Sequence, residues 1–205
     1  MADDKLREKL ADYVEDAHAM EQSVLRSLDS MISTTEDPQI RSMLEHHKEE
    51  TERHERLLKE RLDALGEGTS TPKEAQTLAG TLLKGIADRA RTDKPAKNAR
   101  DGYVTEHMEI ACYQLLERLA ERADDPETAE VARRNRADEE EMARKIDVSW
   151  DRVLDLTLDE AGIRAQENGV PVCVAGVVIK APALHDQGED IGLQPHRGAE
   201  APQGR

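Results

Sequence analysis

Two Asp-Pro steps, Asp37-Pro38 and Asp125-Pro126, lie 88 residues apart, and each divides two long segments whose apolar residues recur at helical spacing. Before the first step, Leu6, Leu10, Val14, Leu25, Leu28 and Ile32 mark an amphipathic helix over about residues 3–33, with no Pro or Gly inside it. After it, Ile40, Met43, Leu44, Leu57, Leu58 and Leu62 mark a second helix, which stops at Leu65-Gly66, where glycine suits a C-cap. Around the second step, a third helix spans about Lys97 to Ala123. A fourth runs from Glu127 through Ala132, Met142, Ile146, Trp150 and Val153. Connections this short fold each pair into an antiparallel hairpin. The hairpins read as copies: the same offset carries Glu21 onto Glu109, Leu28 onto Leu116, Leu44 onto Ala132 and Glu50 onto Asp138. Gap-free agreement at several positions points to an internal duplication. The copies differ chemically, because His18 falls on Glu106, His47 on Asn135 and His54 on Met142.

Composition agrees with an all-α chain. Aromatic residues make up 2%, with no Phe, against 37% hydrophobic and 36% charged, which leaves little of the aromatic material that strands favour. The length of 205 residues suits one core with a tail. The spacing predicts a four-helix bundle over 1–148. Within it, 66–101 forms a long crossover containing a short helix at about 72–91, which starts the third helix from the opposite end. Helix four either continues past the bundle or kinks near Val148-Ser149 into a further helix over 149–167. Residues 168–205 form a tail with a β-prone patch at 170–179 and an expected disordered end.

A net charge of −15 argues against nucleic acid as a partner and favours cations. The charged N-terminus lacks a signal-peptide pattern, no apolar run is long enough to span a membrane, and two cysteines fit a reducing cytoplasm. A soluble cytoplasmic protein is therefore expected, self-associating as a homodimer.

Metal-binding residue types interrupt the apolar stripes. On helix one, positions 14, 18, 21, 25, 28 and 32 share a face, and His18 and Glu21 interrupt it; on helix two His47, Glu50 and His54 do the same. Helix three offers Glu106 and Glu109 beside Tyr113, and helix four offers Asp138 or Glu139 beside Ala132, Asn135 and Met142. Carboxylates inside a bundle must protonate, pair or bind a cation, and four helices bringing them to one level suit a pair of divalent metals. Iron and manganese match such hard ligands with imidazole, and zinc is a further candidate. The Glu-x-x-His pair of di-iron bundles occurs once, at Glu15 and His18, and is absent from helices two and four.

The stretches H-K-E-E-T (47–51), E-H-M-E-I-A-C-Y (106–113) and A-M-E-Q (19–22), set in two hairpins over roughly residues 4–147, resemble the YciE/YciF-type proteins. These are bacterial, stress-associated, ferritin-like four-helix bundles. The resemblance implies a ferritin-like fold with a long crossover and a dinuclear metal site; the carboxylate and histidine constellation itself leads to the expectation that iron or manganese there reacts with oxygen or peroxide, giving oxidase- or peroxidase-like chemistry. By position the resemblance points to Glu21, His47, Glu50, Glu106 and Glu109 as ligands, with Asp138-Glu139 standing where the family carries a Glu-Glu pair.

Each candidate has a plainer reading. His47, His18 and His54 also suit hydrogen-bonded core or supporting positions, and the carboxylates also suit pairing with Arg26, Arg53 or Arg118. Tyr113 suits packing as well as a hydrogen bond to a ligand. Glu49, Glu52, Glu55, Glu140 and Glu141 read as solvated faces. The competing function is a metal-free helical stress or interaction module acting through its acidic surface or its tail.

Overall fold

The computed structural model describes residues 2–66 and 92–163, and every regular element within them is helical. Helix α1 spans Ala2–Thr34, α2 Pro38–Leu65, α3 Lys94–Arg122, α4 Pro126–Asp147 and α5 Trp150–Glu160. Both Asp-Pro steps are helix starts. The Asp37 carboxylate accepts from the Gln39 and Ile40 amides at 3.0 and 2.9 Å, and the Asp125 carboxylate accepts from the Thr128 amide at 2.9 Å. In each case the cap satisfies amides that lack a helical partner, and the following proline sits where no amide is needed. Gly66 closes α2 in the left-handed conformation, φ 87°, which glycine adopts without strain.

The helices form a bundle in which α1 pairs with α2 and α3 with α4. Arg61, near the end of α2, forks onto the Asp125 carboxylate at 2.9 Å and donates to Thr128 Oγ1 at 2.9 Å. The end of α2 therefore lies beside the start of α4. At the other end, Lys94 and Pro95 of α3 share a cavity wall with Thr34 and Asp37 of the α1–α2 turn. α2 thus finishes at one end of the bundle and α3 begins at the opposite one. The chain turns at Val148-Ser149 into α5, which ends at Glu160, short of the residue 167 that its sequence pattern predicts. α5 returns across the start of α3: Thr157 Oγ1 accepts from the Ala96 amide at 3.1 Å, Trp150 meets Tyr103 edge-on at 5.5 Å, and Arg152 pairs with Asp37. The expected crossover helix at 72–91, the β-prone patch and the tail lie outside the described residues.

Two apolar clusters fill the bundle. One, at the end where α2 finishes, gathers Leu10, Val14, Leu58, Leu62, Leu116 and Ala129 with Met20 and Tyr113; the other, toward the α1–α2 turn, gathers Val24, Leu28, Met31, Leu44, Met142 and Ile146. The face that α1 buries is turned slightly from the one the spacing predicts. Val24 and Met31 are buried, while Leu25, Ile32 and His18 are only half-buried. No described helix is long and apolar enough to cross a membrane.

Candidate metal centre

A layer of polar side chains separates the two apolar clusters. Glu21 (α1), His47, Thr51 and His54 (α2), Glu106 and Glu109 (α3), and Asn135 and Glu139 (α4) are all 3% exposed or less. Helical spacing puts His47, Thr51 and His54 on one face of α2, and Asn135 and Glu139 on one face of α4. His47, Glu106, Glu109 and Glu139 converge so that one ligand atom from each lies within 4.8 Å of the others, and Glu21, His54 and Glu139 do likewise. Glu139 belongs to both groups.

The two imidazoles are oriented from outside the cluster. His47 Nδ1 lies 3.2 Å from Glu50 Oε2, and this leaves Nε2 pointing inward, 3.4 Å from Glu106 and 3.5 Å from Glu139. His54 Nε2 lies 3.0 Å from Asp138 Oδ2, which Arg53 anchors at 2.5 Å; its Nδ1 faces Glu139 at 2.9 Å and Glu21 at 3.6 Å. A carboxylate accepting the outer N–H fixes the tautomer whose inner nitrogen keeps its lone pair. Glu21 is held by a hydrogen bond from the Tyr113 hydroxyl, which in turn accepts from Asn135 Nδ2 at 3.1 Å.

The inner atoms of the layer lack such partners. Among the described residues, the buried side-chain atoms without a hydrogen bond are Glu21 Oε2, His47 Nε2, His54 Nδ1, Glu106 Oε2 and both oxygens of Glu109 and Glu139. The close approach of His54 Nδ1 to Glu139 lacks hydrogen-bond alignment. Orphaned buried polar atoms are costly, and these all belong to the two converging groups. The charge balance is equally pointed: four carboxylates and two imidazoles match two divalent cations when the imidazoles are neutral. The donor set, carboxylate oxygen with imidazole nitrogen, is one that iron, manganese and zinc accept.

Titration behaviour follows from the same crowding. Burial raises the pKa of Glu21, that of Glu109 well above the usual carboxylate range, and that of Glu139 to about 7, with neighbouring carboxylates adding to the effect. Burial pulls His54 down, but the contacts with Glu139 and Glu21 outweigh it and push it up to about 10. His47 is likewise raised by Glu106, Glu50 and Glu139 against the opposing effect of burial. Without cations, protons hold this layer together.

Of the residues singled out in the sequence, Glu21, His47, His54, Glu106, Glu109 and Glu139 meet in the layer. Three do not. Glu50 is half-buried behind His47, and its carboxyl is held below the usual range by that imidazole. Asp138 is partly exposed behind His54. His18 pairs with Glu55 at 2.8 Å on the α1–α2 surface, which also takes Glu55 off the purely solvated face expected for it. Arg53 does pair with a candidate carboxylate, Asp138, and the hydrogen bond from Asn135 to Tyr113 has no signal in the spacing. The stripe positions 132, 135, 139, 142 and 146 on α4, all buried, carry the signal that Glu139 and not Asp138 points inward.

A family described as "Domain of unknown function (DUF892)" matches residues 5–157. A protein of known crystal structure from Xanthomonas campestris pv. campestris is 26% identical, with a TM-score of 0.66 over 77% of this chain and 99% of its own. The E. coli stress protein YciF is 16% identical, with a TM-score of 0.64 over 73% of this chain and 96% of its own. A dodecameric thioferritin from Bacteroides fragilis is 18% identical, with a TM-score of 0.58 over 76% of this chain and 90% of its own. The last two likenesses concern the fold, which is ferritin-like.

Proposed function

We propose that this chain, which belongs to the DUF892 family, binds two divalent metal ions in the layer between its apolar clusters. The observation that carries the reading is that every buried side-chain atom without a hydrogen bond, among the described residues, lies on the six residues that converge there. His47, Glu106, Glu109 and Glu139 would hold one ion, and Glu21, His54 and Glu139 the other, with Glu139 shared.

Iron or manganese bound there would supply oxidase- or peroxidase-like chemistry toward oxygen or peroxide. This chain's own residues prepare the site. Glu50 and Asp138 hold the imidazole planes and keep the inner nitrogens free; Tyr113, steadied by Asn135, donates to Glu21 and limits its rotation. The apolar cluster that includes Leu10, Val14, Leu58, Leu62 and Leu116 excludes water on its side of the layer, which strengthens the charge interactions there. Glu109, Glu139 and His54, whose pKa values are all raised, would have to give up protons to hold an ion, so binding would release protons and weaken as pH falls.

Elemental analysis of the purified full chain after loading with iron or manganese tests the reading. Two ions per chain are expected; fewer than one overturns it and favours the metal-free module. The same reading takes the chain as a homodimer from a bacterial cytoplasm with a stress-associated role. Val104 and Leu115, 48% and 56% exposed on α3, support a self-association face. Light scattering that returns a monomer, or a deletion strain as resistant to peroxide as its parent, would remove those parts separately.

A further inference from the structure

Beside the centre, at the end of the bundle where α5 folds back, lies a cavity of about 350 Å³ that the proposed metal chemistry does not explain. Leu28, Met31, Leu44, Met142, Ile146 and Val153 line it, all buried and apolar. Its inner end reaches Glu106, a member of the centre, and its rim carries, among the described residues, Glu36, Asp159 and Glu160 against Lys94, since Asp37 is already paired with Arg152. An apolar chamber of about 150 Å³ takes a benzene ring, so this one has room for about ten carbons, within the usual range of small-molecule sites.

A second observation indicates that the space is kept open. Gly102 lies inside α3 and lines the cavity, where an alanine would favour the helix more. Among the described residues, a methyl group there would meet Ile146 Cδ1 at 3.4 Å, the near edge of ordinary contact, so alanine is not excluded by sterics. A side chain at this position would stand beside Ile146 on the cavity wall, so glycine leaves the space open. Methionines on two of the walls let the chamber adapt to an occupant.

We propose that this cavity binds a neutral or cationic aliphatic molecule of about ten carbons, its chain running between the Leu28, Leu44 and Met142 walls toward Glu106 and its polar end at the acidic rim. The rim selects the head group: among the described residues, Lys94 stands with Glu36, Asp159 and Glu160, a net negative rim that disfavours a fatty-acid anion and accepts an alcohol or an ammonium. Methylene burial supplies the affinity and the rim supplies the selectivity.

Calorimetric titration of the full chain with 1-octanol, octylamine and octanoate, in metal-free and manganese-loaded forms, is the test. Saturable one-to-one binding of the alcohol and the amine is expected in both forms, with octanoate weaker by at least tenfold. Gly102→Leu fills the chamber and Leu156→Trp narrows it beside α5; each should weaken octanol binding at least tenfold while the helical spectrum is retained. If Gly102→Leu does not fold, Leu156→Trp decides. Absence of saturable binding, binding unchanged in the folded variants, or octanoate binding as well as the amine overturns the proposal. Because the metal-free form is titrated too, failure here leaves the metal count untouched, and a failed metal count leaves this binding untouched.

Discussion

At the offset of 88 residues, Glu21 of α1 and Glu109 of α3 are both fully buried, and so are Leu28 and Leu116. The hairpins α1–α2 and α3–α4 are thus equivalent as scaffolds. Their chemistry diverges at one position of the first helices, where Glu106 joins the layer and its counterpart His18 does not, and at three positions of the second. His47, Thr51 and His54 of α2 have Asn135, Glu139 and Met142 as counterparts on α4, every one of them buried. Both imidazoles come from one copy, and the carboxylate common to both groups comes from the other. A further pair keeps its duty across the copies: Glu50 and Asp138 are counterparts, and each orients an imidazole of α2, Glu50 from behind His47 and Asp138 from across the interface to His54. The counterpart positions of the second helices share their burial, and the different residues there, with Glu106 in place of His18 on the first, make the centre asymmetric.

Breaking that asymmetry at its shared member should have the largest effect. Glu139→Gln keeps the volume and removes the charge common to both groups, so metal content should fall from two ions per chain to below one. The same change should raise the melting temperature of the metal-free protein, because a buried carboxyl pushed up to about 7 is costly to hold ionised. Wild type should gain stability on loading and the variant should not, a difference that thermal melts with and without manganese read directly.

Making α2 resemble α4 should act next. His54→Met and His47→Asn copy the α4 residue onto its counterpart, so each is sterically compatible with a buried site of the same bundle. Each should lose one ion and keep the other, since the groups share only Glu139. If either substitution empties both sites, the two groups are one cooperative unit and the division drawn between them fails.

Removing an orienting carboxylate is gentler. Asp138→Ala and Glu50→Ala leave the inner ligand atoms in place and should weaken metal binding by about ten- to a hundredfold, the usual effect of such supporting partners. Asp138→Ala should be the stronger, because it also releases Arg53. Competition with a chelator of known affinity measures both, and Glu140→Ala, on the exposed face of α4, should change nothing.

Much of this was legible in the residues because it is local. Asp-Pro corners, Gly66 and uninterrupted helical spacing mark hairpins without reference to the rest of the chain. Helix phase was harder, since three- and four-residue steps fit adjacent faces almost equally well. On α1 the choice between Val24 and Leu25 is made by packing against α2 and α3, and it carries His18 to the surface. Glu21 stays inside because it lies near the middle of either face. His54 and His18 interrupt similar stripes, and only the cross-helix neighbours Asp138 and Glu139 distinguish them. The supporting roles of Glu50 and Asp138 depend on contacts between side chains on different turns or helices, which spacing along one helix does not specify.

The smallest contrast concerns the two corners. Asp37 and Asp125 are counterparts with the same capping duty, but Arg152 from α5 holds the first and Arg61 from α2 the second. Loss of a cap costs about 1 kcal/mol. Asp125→Ala should cost somewhat more than Asp37→Ala, since it also frees Arg61, which is 19% exposed where Arg152 is 45% exposed. The Arg152 guanidinium is the main reason that the Asp37 carboxyl is held below its ordinary value, with the Ile40 amide adding to it. A carboxyl whose folded pKa lies below the unfolded one contributes its full stability above about pH 4, and loses it as pH falls through the folded value. Asp37→Asn should therefore lie below wild type in melting temperature at pH 7, and the two curves should converge in more acidic solution. Arg152→Ala should shrink the gap at pH 7, and a gap of unchanged size would mean that the cap stands without help from α5.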